Sequence, residues 1–382
     1  MFQRLRVAAR ELTLWAAGFF VLMGMPLATQ AQDIVLGQIG PFTGLPVPDA
    51  IQVNQGIKAY IAQVNKAGGI QGRKISFFEL DDAYSADGFV ARMDEAMQRR
   101  PVALISPIGS AAIKRMLDDK LLDKYDVVIM NAVPGAEALR NPGHPRLFHV
   151  RAGDKQQLEK IVNHARTLSI PKLGVLYQNI PIGTSGMKVV ADEAARLTGM
   201  EVKGFQSSTN PEELAKVAQE VFKLDAQGVL VIGAPPFAAA GVAQLRRIGV
   251  TQSIFVLADT APGLLVKVAG DSARGVGIAQ IYPNPNGRTT SLMREFQTAM
   301  KAAYPELTAY APFQLEGYLS ARIVGEGLRR SKDVIKPDAL AKALRAMGEL
   351  DFDGYRIDFS KGNAGSRFVD IAVIGSEGRL RY

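Results

Sequence analysis

Short apolar runs alternate with amphipathic stretches along most of this chain. Ile34–Ile39 is a run rich in β-branched residues, bounded by Gly40-Pro41, which is the pattern of a buried strand. Next, Ile57, Tyr60, Ile61 and Val64 fall on one helical stripe. Gly68-Gly69 ends it, because glycine takes the left-handed C-cap conformation without a Cβ clash. Lys74–Leu80 reads as a second strand. Two parallel strands joined by a crossover helix leave the loop at 40–49 on the carboxyl edge of a sheet, the edge at which open α/β sheets bind ligands.

The alternation continues. Ala86–Gln98 reads as helix, Val102–Ser106 as strand, Ser110 to about Leu122 as helix, Val127–Asn131 as strand and Leu147–Arg151 as extended. A second set begins near Gly153: helix Gln157–Leu168, strand Lys172–Tyr177, helix Ser185–Gly199 and strand Val202–Gln206. Asn210-Pro211-Glu212 then opens a helix as cap, first position and acidic first turn. Strand Gly228–Ile232, helix Ala238–Ile248 and strand Ser253–Ala258 follow. Val276–Pro283 is strand-like, Ser291–Ala303, Pro312–Ser331 and Pro337–Ala346 are helical, and Tyr355–Phe359 and Phe368–Ile374 are extended. Such a sequence predicts mostly parallel sheets with helices on both faces, and 382 residues suit two lobes of ordinary size.

Composition narrows the chemistry. The net charge is +8, but no run of five basic residues occurs, so the basicity reads as solvated surface and nucleic acid is not an expected partner. With no cysteine, disulfides, thiol nucleophiles and thiolate zinc sites are excluded. The three histidines are scattered, and neither a metal-ligand pair nor a dinucleotide, P-loop or nucleophile-elbow motif is present. The chain is expected to need no metal or cofactor and not to be an enzyme. Asp81-Asp82 is a strand-end pair that reads as a turn cap or a solvated edge rather than a cation site.

Residues 1–31 have the layout of a signal peptide. Arg4, Arg6 and Arg10 form the basic end, Leu12–Leu27 the apolar segment, and Thr29-Gln30-Ala31 the cleavage site. The secreted form is expected to start near Gln32. With no cysteine for a lipid anchor, it is expected to be soluble and periplasmic.

The words PFTG at 41–44, NKAGGIQGRKI at 65–75 and ELDD at 79–82, in that order and spacing, resemble the start of the type I periplasmic solute-binding proteins of ABC importers, in the leucine/isoleucine/valine-binding branch. The resemblance implies an α/β fold of two doubly wound, mostly parallel-sheet lobes joined by a three-strand hinge. By position, the first lobe would span 33–150 and 280–352, and the second 151–279 and 353–382. It also implies a monomer that closes on a small ligand and delivers it to the membrane permease subunits of an ABC importer. A sensing protein of the same fold, signalling to a membrane receptor or regulator, is the alternative. A periplasmic enzyme is the rival from another class.

Four stretches carry the candidate site. Gly109-Ser110-Ala111-Ala112 opens a helix, where free N–H groups and small residues suit an anion. Taken alone, Ser110 reads better as an ordinary helix cap, but the resemblance implies that Ser110, with Ala111 beside it, contacts a ligand carboxylate. In the next loop the resemblance implies contacts at Ala132 and Val133, although Val133-Pro134 stands where a threonine is usual and proline offers no N–H. Ile182 replaces a tyrosine that closes over the ligand, making the pocket more apolar. Asp259 stands where an acidic residue pairs the ammonium of the substrate. Phe42, with Thr43 and Leu45, offers an apolar wall, and Tyr282 and Phe313 are weaker candidates. The expected cargo is a small carboxylate: a branched-chain or other apolar amino acid, or an aromatic or aliphatic acid without an amine.

Overall fold

A computed structural model describes residues 32–43, 48–332 and 335–382. The expected signal peptide at 1–31 and Leu45 lie outside these residues.

Five short parallel strands form the first sheet: β1 (Ile34–Gly40), β2 (Ile75–Asp81), β3 (Ala103–Ile105), β4 (Val128–Met130) and β5 (Leu147–Phe148), in the order β2-β1-β3-β4-β5. Helices cover both faces. One face buries Ile34 and Leu36 against Val53, Ile57, Phe296, Tyr318 and Leu344; the other buries Ile39 and Leu104 against Phe89, Met93, Ile113 and Met116. Burial on both sides explains the nearly unbroken apolar strand runs.

The second sheet begins with β6 (Lys172–Gln178), β7 (Glu201–Ser207), β8 (Gly228–Ile232), β9 (Ser253–Val256) and β10 (Gly277–Gln280). A hairpin of β11 (Leu350–Phe352) and β12 (Tyr355–Ile357) intervenes before β13 (Asp370–Ile374) and β14 (Leu380–Arg381). The order is β14-β13-β10-β9-β8-β6-β7, parallel from β10 to β7, with β13 antiparallel to β10 and β14 antiparallel to β13. The two cores of this lobe lie on its opposite faces. The chain thus has the expected two-lobed, mostly parallel α/β fold.

Three local readings are corrected. The helix expected to run from Ser110 to Leu122 breaks at Lys120, which adopts φ 51°, giving Ser110–Asp118 and Leu121–Lys124. Pro262–Ala269 is helical, with proline at its first position. The 350–357 segment is a hairpin whose two-residue turn, Asp353-Gly354, has positive φ at both residues (55° and 98°), as a tight hairpin turn requires. Tyr355, Ile357 and Phe359 join the first core, so this piece of the 353–382 stretch packs with the first lobe rather than the second.

The helices Pro48–Lys66 and Pro312–Arg330 pack at a point where neither has a side chain. A Cβ on Gly56 would lie 1.9 Å from the Gln314 carbonyl oxygen, and one on Gly317 would lie 1.9 Å from that of Val53. No helix among the described residues is long and apolar enough to cross a membrane.

Candidate functional site

The carboxyl ends of β2, β1 and β3 lie side by side on the first lobe, and Asp81 knots the first two together. Its Oδ1 accepts hydrogen bonds from the backbone N–H groups of Phe42 (2.9 Å), Thr43 (3.2 Å) and Ala83 (3.1 Å), and the Thr43 hydroxyl donates to its Oδ2. Burial is the largest single influence and works against the charge, but these donors together hold the carboxyl below its usual range. Asp82 is pushed up to about 6 by burial, with the Asp81 charge adding to the effect. Its Oδ1 accepts the Tyr84 N–H at 2.9 Å. The acidic pair is therefore a turn cap. Among the described residues no group of three His, Asp or Glu stands ready for a metal.

Phe42 is half-buried at this edge. After β3, Gly109 (φ 114°) occupies the cap of the Ser110–Asp118 helix, so Ser110 is not the cap; Ser110 and Ala111 are both exposed in the first turn. The loop after β4 contributes less than expected. Ala132 is fully buried in the second core of this lobe, and its side chain lines no surface. The N–H of the half-buried Val133 donates to Pro107 O at 3.0 Å, tying the two loops together and leaving no donor there for a ligand.

On the second lobe, Ile182 is half-buried in the first turn of the Pro181–Arg196 helix. With Ala136, Glu137, Asp154 and Leu158 it lines a groove of about 240 Å³. Asp259 is half-buried in the turn after β9. Nearby Ala258 and Ala261 pack against the core of the first lobe. Loops from the carboxyl end of the second sheet therefore meet the first lobe directly. Tyr282 and Phe313 are buried in the first core and act as core aromatics.

The surprise lies beneath these loops, where the chain first crosses between lobes. Arg151 and Glu316 are sealed inside, 2% and 1% exposed, with Nη1 3.5 Å from Oε1. Asn131 Nδ2 donates to the same Glu316 oxygen at 2.9 Å, while its Oδ1 accepts the N–H groups of Val150 (3.0 Å) and Arg151 (3.3 Å). Arg140 Nη2 donates to Arg151 O at 2.8 Å. Burial alone would make Arg151 easier to deprotonate; Glu316 first, then Tyr282, Asp154 and Asp259, outweigh it and raise its pKa. Asp259 thus already acts on a cation of its own chain.

Two more titrating groups face this crossing. Burial pushes His149 down to about 3, with the Arg140 charge adding to it. Burial pushes Asp154 up to about 6, against the pull of Arg151 and Arg140. The Asp154 N–H donates to Gly135 O at 2.9 Å, and a Cβ on Gly135 would meet the Asp154 carboxylate at 2.1 Å, so only glycine allows this approach. Sequence reasoning missed Arg151, Glu316 and Asp154. The available signal was a lone arginine inside the apolar LFHVRA run at 147–152.

Comparison with known proteins agrees with this fold. The family model described as periplasmic binding protein matches residues 33–378. The crystal structure of an extracellular ligand-binding receptor from Verminephrobacter eiseniae is 55% identical, with a TM-score of 0.86, covering 92% of this chain and 100% of that one. A Leu/Ile/Val-binding protein homolog 3 from Brucella melitensis is 22% identical over 86% of this chain and 87% of its own length. An ABC transporter substrate-binding protein from Desulfitobacterium hafniense, solved in complex with Leu, shares the fold at 18% identity and a TM-score of 0.77, covering 92% and 99% of the two chains. The chain therefore belongs to the periplasmic binding protein family, as a type I member of its leucine/isoleucine/valine-binding branch.

Proposed function

We propose that this chain is the substrate-binding component of an ABC importer and that its cargo is a small carboxylate without a required amine. The meeting of the loops after β9 with the first lobe supports a cleft that closes by hinge motion. In this reading the chain crosses between lobes near 150, near 280 and between 359 and 370, residues 1–31 are removed on export, and permease subunits read the closed form. The carboxylate lies against Ser110 and Ala111 at the exposed helix end, with Phe42 and Ile182 as apolar walls.

The observation that favours an amine-free acid is the state of the two groups expected to serve an amino acid. The Val133 N–H is spent on Pro107 and Pro134 has none, while the Asp259 charge already acts on Arg151. Thermal-shift and calorimetric comparison of matched pairs tests this: 4-methylpentanoate against leucine, and 3-phenylpropanoate against phenylalanine. The acids are expected to raise the melting temperature more than their amino counterparts, since a ligand stabilises the state that binds it. Tighter binding of both amino acids would overturn the reading.

A further inference from the structure

We infer that Tyr84 is a specificity-determining residue of this cleft, an aromatic platform that selects acids carrying a planar ring. The inference rests on the carboxylate reading above. It starts from what the topology brings together. Strands β2, β1 and β3 are neighbours, so the residues just beyond them, Tyr84, Phe42 and Ser110, share one edge of the first lobe. The Tyr84 ring reaches within 3.6 Å of the place where a Gly109 Cβ would be, which sets it beside the exposed Ser110.

The second observation is where apolar surface shows. Ile51 (54%) and Tyr84 (48%) are two of the seven exposed large hydrophobic residues among those described. The other five, Leu168, Phe222, Val268, Val373 and Tyr382, all lie in the second-lobe stretches. Both first-lobe residues stand at the carboxyl edge, since Ile51 is in the first turn of the helix that follows β1. Scattered apolar exposure needs no explanation, but exposure gathered at a ligand-binding edge does.

The ring is also held there against a conformational cost. Ala83 and Tyr84 are consecutive non-glycine residues with φ 49° and 58°, a region that bulky side chains avoid. Asp81 and Asp82 pin both through their N–H groups. A flat ring bound between Tyr84 and Phe42 gains offset or edge-to-face contact beyond its buried area, while a puckered ring of the same size does not.

The test is calorimetry on the purified protein with benzoate, phenylacetate and 3-phenylpropanoate, each against its cyclohexyl counterpart. Tyr84→Asn removes the ring but keeps a residue that tolerates the left-handed backbone; Tyr84→Phe keeps the ring. At least one aromatic acid is expected to bind about tenfold tighter than its cyclohexyl partner. Tyr84→Asn should abolish that preference, bringing the aromatic and cyclohexyl affinities within about twofold of each other, and Tyr84→Phe should retain it. An unchanged ratio in Tyr84→Asn, or no aromatic preference in the wild type, overturns the role of Tyr84 alone. If none of the six acids binds while 4-methylpentanoate does, only the role of Tyr84 falls; if 4-methylpentanoate also fails, the carboxylate reading falls and Tyr84 falls with it.

Discussion

Arg151 and Glu316 form a buried ion pair, Nη1 to Oε1 3.5 Å, in which an arginine at the crossing between lobes meets a glutamate on the Pro312–Arg330 helix. Removing one partner strands the other charge in a place water does not reach. Glu316→Ala is expected to cost about 3–5 kcal/mol of stability, read as a lowered urea midpoint at unchanged slope. The double variant Arg151→Met/Glu316→Leu should lose clearly less than the two single losses added together.

His149 should give the chain a specific acid sensitivity. Its folded pKa, about 3, lies below the ordinary 6.5, so between those values the unfolded chain holds a proton that the folded chain does not. Stability from this group therefore falls as pH drops from 6.5 towards 3. The shift corresponds to about 5 kcal/mol at the limit. Asp154 works oppositely: with its folded pKa raised to about 6 from 3.8, its contribution improves as pH falls through that window. Comparing chemical denaturation of wild type and His149→Asn separates the two. The gap between them should be widest at pH 7 and should shrink towards pH 3.

Gly56 and Gly317 leave no room for a methyl group, because each faces a backbone oxygen of the opposite helix 1.9 Å from the Cβ position. Gly56→Ala or Gly317→Ala should force the helices apart and cost about 1–3 kcal/mol or more. Gly68→Ala is a useful contrast. Nothing lies within 4 Å of that site, so only the strain of its positive φ should register. Equal losses at crowded and open sites would refute the close-packing argument.

Ser110→Ala is expected to weaken binding of the preferred acid by about 1–3 kcal/mol, the value of a hydrogen bond to a charged group, with the melting temperature of the unliganded protein unchanged. Asp259→Asn should change the affinities for phenylalanine and 3-phenylpropanoate by the same factor, since in this reading its charge acts on Arg151 rather than on a ligand ammonium. A selective loss for phenylalanine would return Asp259 to the ligand.

The fold was largely legible because the central strands are buried on both faces and announce themselves as apolar runs; Gly228–Ile232, Ser291–Ala303 and Pro337–Ala346 were read to the residue. The hairpin at 350–357 was missed although its Asp-Gly pair is a strong turn signal, because three-residue strands carry too little alternation. The site was less legible. Whether Val133 has a spare N–H depends on Pro107, 26 residues earlier in the chain, and whether Asp259 lacks a cation depends on Arg151. Sequence spacing does not encode either pairing, which arises only when separate loops converge at a sheet edge.

Asp81 fastens the main chain of two neighbouring loops without engaging either aromatic ring that those loops carry. Framework and contact surface are thereby uncoupled. Position 42 can change in bulk or polarity, and position 84 among residues that tolerate its left-handed backbone, while the knot of amides around one carboxylate keeps its shape. On the reading proposed above, a shift in cargo would therefore need new side chains but no redrawn backbone.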